Sequence, residues 1–292
     1  MQLKRFQAGL LGATLIAAWA SAAAQGTALP PGELVRRAVQ NEIKAKDDSA
    51  KFMLRDHKKR ISDDQTKLLV ETKDGPLAVV VAVNDQPLSA QQQGWEIERV
   101  ERMVNDPAEM QKKQQQQKDD ADRVSRIIKA LPDAFIYETD GVEMGKPGVG
   151  QTGEELVRLK FRPNPQYDPP TRVEQILTGM QGNVLIDAKR CRMARIEGTL
   201  FKDVGFGWGI LGHLDRGGHI AIEQGDVNHG TWQITSVQYT FTGKVLFIKS
   251  INSRTIETFS GFRPVPSDLT YAQGLALLKQ ENSIAQNQHP TK

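Results

Sequence analysis

Residues 182–200 read GNVLIDAKRCRMARIEGTL, and this stretch decides the fold. The apolar run 184–186 ends at Asp187, and the residues that follow it predict a turn. Residues 192–201 then alternate between two sets of side chains: Ala194, Ile196, Gly198 and Leu200 on one side, and Arg195, Glu197 and Thr199 on the other. An alternation with a period of two predicts a strand with one buried face.

The same pattern continues toward the C-terminus. Further strands are predicted at residues 218–224, 231–242, 244–252 and 255–262. Turn residues separate them, with Asn228-His229-Gly230 in one turn and Thr242-Gly243 in a tighter one. Short strands at this regular spacing are typical of a large antiparallel sheet that is curled or closed.

The N-terminal part of the chain predicts one helix followed by more strands. Apolar residues at helical spacing predict the helix within residues 35–46, and strands are predicted at 52–58, 66–71 and 77–83. Another strand is predicted at 156–162. A capping box formed by Thr171 and Glu174 then opens a short helix. We therefore predict the α+β class.

A polar, glutamine-rich segment at residues 91–131 interrupts the strands and predicts two helical arms. Pro107 divides the segment, and Asn105-Asp106 just before it is a helix-start signal. The few apolar residues, among them Trp95 and Val100, are too sparse to bury more than one side. We interpret the segment as a helical insertion packed on one side only. A dedicated partner-binding arm is the alternative.

The first 24 residues predict a secretory signal peptide. Lys4 and Arg5 are followed by an apolar run at 8–20 and by the small residues 22–24, which suit cleavage near Ala24. We therefore expect a periplasmic or secreted protein. Residues 25–266 are expected to form one domain, and residues 267–292 a C-terminal helix with a frayed tail.

The charge balance argues against nucleic-acid binding. The formal net charge is +3, and it falls to +1 without Lys4 and Arg5. Proteins that bind nucleic acid show a basic patch or stripe instead. We therefore expect no nucleic-acid partner.

The strongest candidate for catalytic chemistry is a group of histidines with one glutamate, namely His213, His219, Glu223 and His229. Imidazole and carboxylate groups bind metal ions, so a metal-dependent hydrolase is one interpretation. However, strand alternation places His219 and Glu223 opposite Ile220 and Ile222, which predicts a solvated face. We therefore predict no catalytic residue, no cofactor and no metal.

Two apolar segments are candidates for contacts outside the core. Residues 205–212 alternate glycine with the large apolar side chains of Phe206, Trp208, Ile210 and Leu211. Such a loop is either a rim that contacts a membrane or partner, or a segment that folds back onto the core. Residues 245–248 are apolar on both faces of their strand, which predicts either a strand buried on both sides or one side lining an internal space.

The chain resembles the periplasmic lipoprotein-sorting proteins, the LolA/RseB-like family. The resemblance lies in the order of elements and in two short motifs, the Gly-x-Val-x-Ile-Asp strand at 182–187 and the Arg-Ile-Glu-Gly strand at 195–198. It implies a half-barrel, a large curved antiparallel sheet covered by helices, whose apolar cavity takes up acyl chains. The 91–131 and 205–218 segments depart from the family pattern.

The resemblance implies a non-enzymatic periplasmic carrier for a lipid or an acylated ligand. Burial of acyl methylene groups would stabilise the complex by about 0.8 kcal/mol each. The candidate cavity residues are Trp232, Ile234, Leu246, Ile248 and Phe259. The expected partners are lipid or lipoprotein acyl chains, with transient membrane contact. An envelope-stress sensor or scaffold that binds protein partners is the alternative of the same fold.

Overall fold

The computed structural model describes residues 29–47, 50–206, 212–245 and 249–288. The signal-peptide prediction lies outside these residues. The described part contains α1 (Pro31–Asp47), α2 (Ala90–Val104), α3 (Pro107–Ala134) and α4 (Tyr271–Gln288), with a 3-10 helix at Glu174–Gly179. Its strands are β1 (Lys51–Arg60), β2 (Asp64–Thr72), β3 (Gly75–Val83), β4 (Gln86–Pro87), β5 (Phe135–Met144), β6 (Glu155–Pro163), β7 (Met180–Asp187), β8 (Arg192–Leu200), β9 (Val204–Phe206), β10 (Gly212–Leu214), β11 (His219–Asn228), β12 (Thr231–Val245) and β13 (Lys249–Val265).

All thirteen strands form one antiparallel sheet that does not close. The strand order is β4-β3-β2-β1-β13-β12-β11-β8-β7-β6-β5, and β10 pairs with both β12 and β9. β1 pairs with β13, so the first hairpin lies beside the last strand of the chain. The predicted α+β class, with an open half-barrel and helices, is confirmed.

One face of the sheet, here called the α1 face, is covered at the β5–β8 end. Helix α1, the C-terminal part of α3 and the 3-10 helix pack there. Directly paired residues project to the same face, and the pairs Leu159–Val184 and Val184–Ile196 run across this end. The large core includes Leu34, Val35, Leu131, Leu159, Val184, Ile186 and Leu200.

The opposite face, here called the α4 face, is covered mainly at the other end of the sheet. Helices α2 and α4 pack on β2 and β3. The second core includes Met53, Val70, Leu77, Val100, Leu275 and Leu278. A third, smaller cluster of Val149, Leu156, Leu185, Ala194 and Trp232 lies apart from these two cores.

The two predicted helical arms are confirmed as α2 and α3. The carboxylate of Asp106 accepts hydrogen bonds from the backbone N–H of Ala108 and Glu109, and Pro107 is the first residue of α3. Ser89 and Gln92 form a capping box that starts α2, which the sequence analysis did not identify. Both helices also contribute buried side chains to the cores, so they cover part of the sheet.

The predicted turn at Thr242-Gly243 is wrong. β12 continues through both residues, and Thr242 and Gly243 pair with Asn252 and Ile251 on β13. Gly243 also pairs with Leu214 on β10, and a Cβ atom at this position would clash with the backbone of His213. Gly243 is therefore explained by the close approach of a neighbouring strand rather than by a turn.

Two details of the 171–200 region also differ from the prediction. Ile186 pairs with Met193 and Leu185 pairs with Arg195, so Ala194 is the extra residue of a β-bulge. The bulge places Ala194 in the cluster with Leu185, away from the core that holds Leu200. The helix predicted after Thr171 is a six-residue 3-10 helix at Glu174–Gly179. The predicted capping box of Thr171 and Glu174 is wrong, because no side chain caps this helix and the hydroxyl of Thr171 accepts a hydrogen bond from the backbone N–H of Val173 instead.

Candidate functional site

Half-buried apolar side chains continue along the α1 face beyond its helix-covered end. We call this set the apolar strip, and it comprises Ile196, Ile220, Ile222, Val237, Tyr239 and Phe241. Ile222 pairs with Ile196 on one side and with Val237 on the other, so all three project to the α1 face. The rings of Tyr239 and Phe241 are stacked, with their centroids 6.2 Å apart.

The strip lies on the α1 face beside the end that α1, α3 and the 3-10 helix cover, whereas α2 and α4 cover the other end of the sheet on the opposite face. Ile196, Ile220 and Phe241 pack against the large core, so the strip is a continuation of that core. The main helix contacts are with β5, β7 and β8 at one end and with β2 and β3 at the other. Among the described residues, no helix makes more than marginal contact with β11 or β12. This arrangement leaves an apolar surface accessible on β11 and β12.

A charged group borders the strip on β13 and β1. Val237 pairs with Glu257, which in turn pairs with Lys58. The Nζ atom of Lys58 lies 2.8 Å from Oε2 of Glu257, and both side chains are largely buried. The strip therefore changes from apolar to ionic within a single row of paired residues.

Asp56 lies on the same face of β1 as Lys58 and is also buried. Its Oδ1 atom is buried and has no hydrogen-bond partner. Burial, followed by the negative charge of Glu257, raises the pKa of Asp56 to about 6. The group therefore holds two carboxyl groups that compete for the positive charge of Lys58.

A cleft of about 560 Å³ lies on β11–β13 beneath residues 147–148. Polar residues line it together with apolar residues in about equal shares: Glu223, Thr235, Ser236, Gln238, Thr258 and Ser260 on the one hand, and Pro147, Val227, Phe259 and Phe262 on the other. Pairing between Glu223, Ser236 and Thr258 places these side chains on the α4 face. The hydroxyl of Thr235 donates a 2.6 Å hydrogen bond to the carbonyl of Gly148 and so holds the overlying loop. This mixed lining favours neither a polar ligand nor an acyl chain.

The predicted cavity residues have different surroundings. Trp232 is buried in the small cluster, with the guanidinium of Arg192 5.5 Å from the centroid of its ring. Ile234 is 42% exposed, and Phe259 lines the cleft on β11–β13. Leu246 and Ile248 lie outside the described residues. A shared cavity lined by these residues stays a prediction.

The predicted apolar loop falls mostly outside the described residues. Phe206 is the last residue of β9, and its backbone pairs with Gly212 on β10. Trp208, Ile210 and Leu211 lie in the segment that is not described. A rim contact by this loop also stays a prediction.

The histidines of the hydrolase interpretation each have different surroundings. His219 contacts Glu197 at 3.0 Å, and His213 contacts Asp215 at 3.1 Å. His229 is exposed in the β11–β12 turn. Strand pairing confirms that His219 and Glu223 project to the face opposite Ile220 and Ile222.

The motif glycines that carry the family resemblance have a clear structural role. Gly182 on β7 pairs with Gly198 on β8. A Cβ atom at Gly182 would clash with the backbone of Glu197, and one at Gly198 would clash with the side chain of Met180. Both glycines therefore permit close packing at the covered end of the sheet.

Sequence reasoning did not identify the apolar strip or the Lys58–Glu257 pair. The alternation at Ile220 and Ile222 was the available signal, but the pairing of β12 with β13 and of β13 with β1 was needed to complete the surface.

None of the described helices is long and apolar enough to span a membrane. No family model, curated protein or solved structure matches the chain.

Proposed function

We propose that this protein is a non-enzymatic periplasmic carrier that holds the acyl chain of a lipid or lipoprotein against the apolar strip. The observation that carries the proposal is the position of the strip on the α1 face of β11 and β12, beyond the helix-covered end of an open sheet. Apolar side chains that continue a core onto an accessible surface favour an apolar ligand. The resemblance to the lipoprotein-sorting family supports the same ligand class.

The chemistry of the strip suits an amphipathic ligand. Ile222, Val237 and Tyr239 offer apolar contacts, and each methylene group that they shield from water contributes about 0.8 kcal/mol. The ion pair of Lys58 and Glu257 supplies a polar boundary next to Val237. An acyl chain lying on the strip would place its polar end near this boundary.

Binding of a fluorescent fatty acid to the full chain tests the proposal. We expect the Ile222→Lys variant to bind the probe at least tenfold more weakly, because a buried ammonium group next to an acyl chain is strongly disfavoured. Thr240→Lys is the matched control, because Thr240 is exposed on the opposite face of β12. Circular dichroism of both variants checks that the sheet is intact. Equal binding by the two folded variants would contradict the proposal, as would a wild-type chain that binds no probe.

A second candidate is the envelope sensor or scaffold that binds a protein partner. The observation that favours it is the edge strand β5, which pairs only with β6 in the described sheet. Val142 and Met144 on this strand are each 59% exposed. A long edge strand with apolar side chains can pair with a strand of another protein. A Val142→Lys variant that loses a partner but keeps fatty-acid binding would support this candidate.

A further inference from the structure

Three potential metal ligands meet near the β4 edge of the sheet, away from the apolar strip. They are His57 on β1, Asp64 at the start of β2 and Asp85 in the turn between β3 and β4. Each offers one ligand atom, and these atoms lie within 4.8 Å of one another. Among the described residues, this is the one group of three such side chains that converges in this way.

The local backbone brings the three residues together. The β1–β2 hairpin pairs Lys59 with Asp64, which places the carboxylate of Asp64 near His57. The backbone N–H of Asn84 donates a hydrogen bond to the carbonyl of Asp64, so the β3–β4 turn is held against β2. Asn84 and Asp85 both have positive φ values, 50° and 58°, as in a two-residue hairpin turn. The turn therefore presents Asp85 to the same point.

The carboxylate of Asp64 is already oriented as a ligand. Its Oδ2 atom lies 3.2 Å from Nζ of Lys59, whereas its Oδ1 atom faces Nε2 of His57 at 2.8 Å. A second group that fixes a ligating carboxylate is a common feature of metal sites.

We propose that His57, Asp64 and Asp85 bind one divalent transition-metal ion, of which Zn²⁺ is the best match. One imidazole and two carboxylates provide three ligands, and water would complete a tetrahedral site. With metal–ligand bonds of about 2.0–2.1 Å, the ligand atoms of a tetrahedron lie about 3.3–3.4 Å apart. The observed distances from Nε2 of His57, 2.8 Å to Asp64 and 3.9 Å to Asp85, bracket this value.

The ion would link three consecutive strands near an edge of the sheet. It would replace the hydrogen bond between His57 and Asp64 and connect both residues to the β3–β4 turn. This site is separate from the histidine group of the hydrolase interpretation and uses none of its residues. It differs from the prediction of no metal, because that prediction was drawn from residues 213–229 alone.

Calorimetric titration of the chelator-treated full chain with ZnCl₂ tests the proposal. We expect one Zn²⁺ per chain and a higher melting temperature in its presence. Asp85→Asn should weaken binding at least about tenfold. Asparagine tolerates a positive φ, so this variant keeps the turn. His57→Gln should weaken binding by a similar factor.

His219→Gln is the matched control. His219 is 37% exposed and lies 3.0 Å from Glu197, while His57 is 38% exposed and lies 2.8 Å from Asp64. His219 therefore reproduces the histidine–carboxylate pair without the converging second carboxylate. Unchanged Zn²⁺ binding in this variant is expected. The proposal is overturned if the wild-type chain binds no Zn²⁺, or if His219→Gln weakens binding as much as Asp85→Asn does.

Discussion

The buried carboxyl group of Asp56 predicts an unusual dependence of stability on pH. Its pKa is raised from 3.8 to about 6, first by burial and then by the charge of Glu257. The unfolded chain therefore loses this proton near pH 4, whereas the folded protein keeps it until about pH 6. Below pH 4 the contribution of Asp56 to stability is fully present, and it is lost as the pH rises through 6.

The magnitude follows from the size of the shift. A rise from 3.8 to about 6 corresponds to at most about 3 kcal/mol. The neighbouring side chains of Lys58 and Glu257 remain partly exposed to water, and screening reduces the effect to about 1–2 kcal/mol. The Asp56→Asn variant keeps the shape of the side chain and removes the charge. We expect it to be about 1–2 kcal/mol more stable than the wild type at pH 8 and nearly equal to it at pH 4.

Urea denaturation at pH 4, 6 and 8 measures this difference. Asp140→Asn is the control of opposite sign, because hydrogen bonding from Lys160 lowers the pKa of Asp140. The control should be destabilised at all three pH values, because the pKa of Asp140 lies below its ordinary value of 3.8, and the loss should disappear only at a lower pH. Destabilisation of Asp56→Asn at pH 8, or an effect that is the same at all three pH values, would refute the reasoning.

Three further outcomes are expected. Gly243→Val should destabilise the protein by about 1–3 kcal/mol in urea denaturation, because the new side chain meets the backbone of β10. Gly94→Ala in α2 is the control: its methyl group has open space, and it should stabilise the protein by up to about 1 kcal/mol. Equal effects of the two substitutions would be inconsistent with the β10–β12 contact. Trp208→Ala should lower the fraction of protein that co-sediments with lipid vesicles and change the melting temperature little. A fall of several kcal/mol in the free energy of unfolding, with unchanged vesicle binding, would instead place Trp208 in the core. Elemental analysis should give the same metal content for His219→Ala and the wild type. If the wild type holds one zinc ion per chain and His219→Ala loses it, the interpretation as a metal-dependent hydrolase is supported instead.

Local patterns in the sequence were enough to predict most individual elements. Alternation identified β8 around Ile196, and the Asp106-Pro107 signal identified the start of α3. These features depend on residues close together in the chain, whose propensities and hydrogen bonds act locally. The α+β class with a large open sheet followed from their order.

Long-range contacts account for what the sequence did not predict. The pairing of β1 with β13 joins residues about 200 positions apart, and no local pattern specifies it. The sequence around Gly243 predicts a turn, because no local pattern indicates the approach of β10. The bulge at Ala194 reverses its face without any change in apolar alternation. The ionic border of the apolar strip requires this distant pairing of β1 with β13, whereas the His57 site is formed by the successive hairpins of residues 57–85.

Lipid extraction and mass spectrometry of the protein purified from its native envelope test the central claim most directly. The carrier account predicts an acyl species that co-purifies with the wild type and with Thr240→Lys, and that is depleted in Ile222→Lys. Absence of any acyl species from the folded wild-type protein would contradict the account, as would equal loading of Ile222→Lys and the wild type.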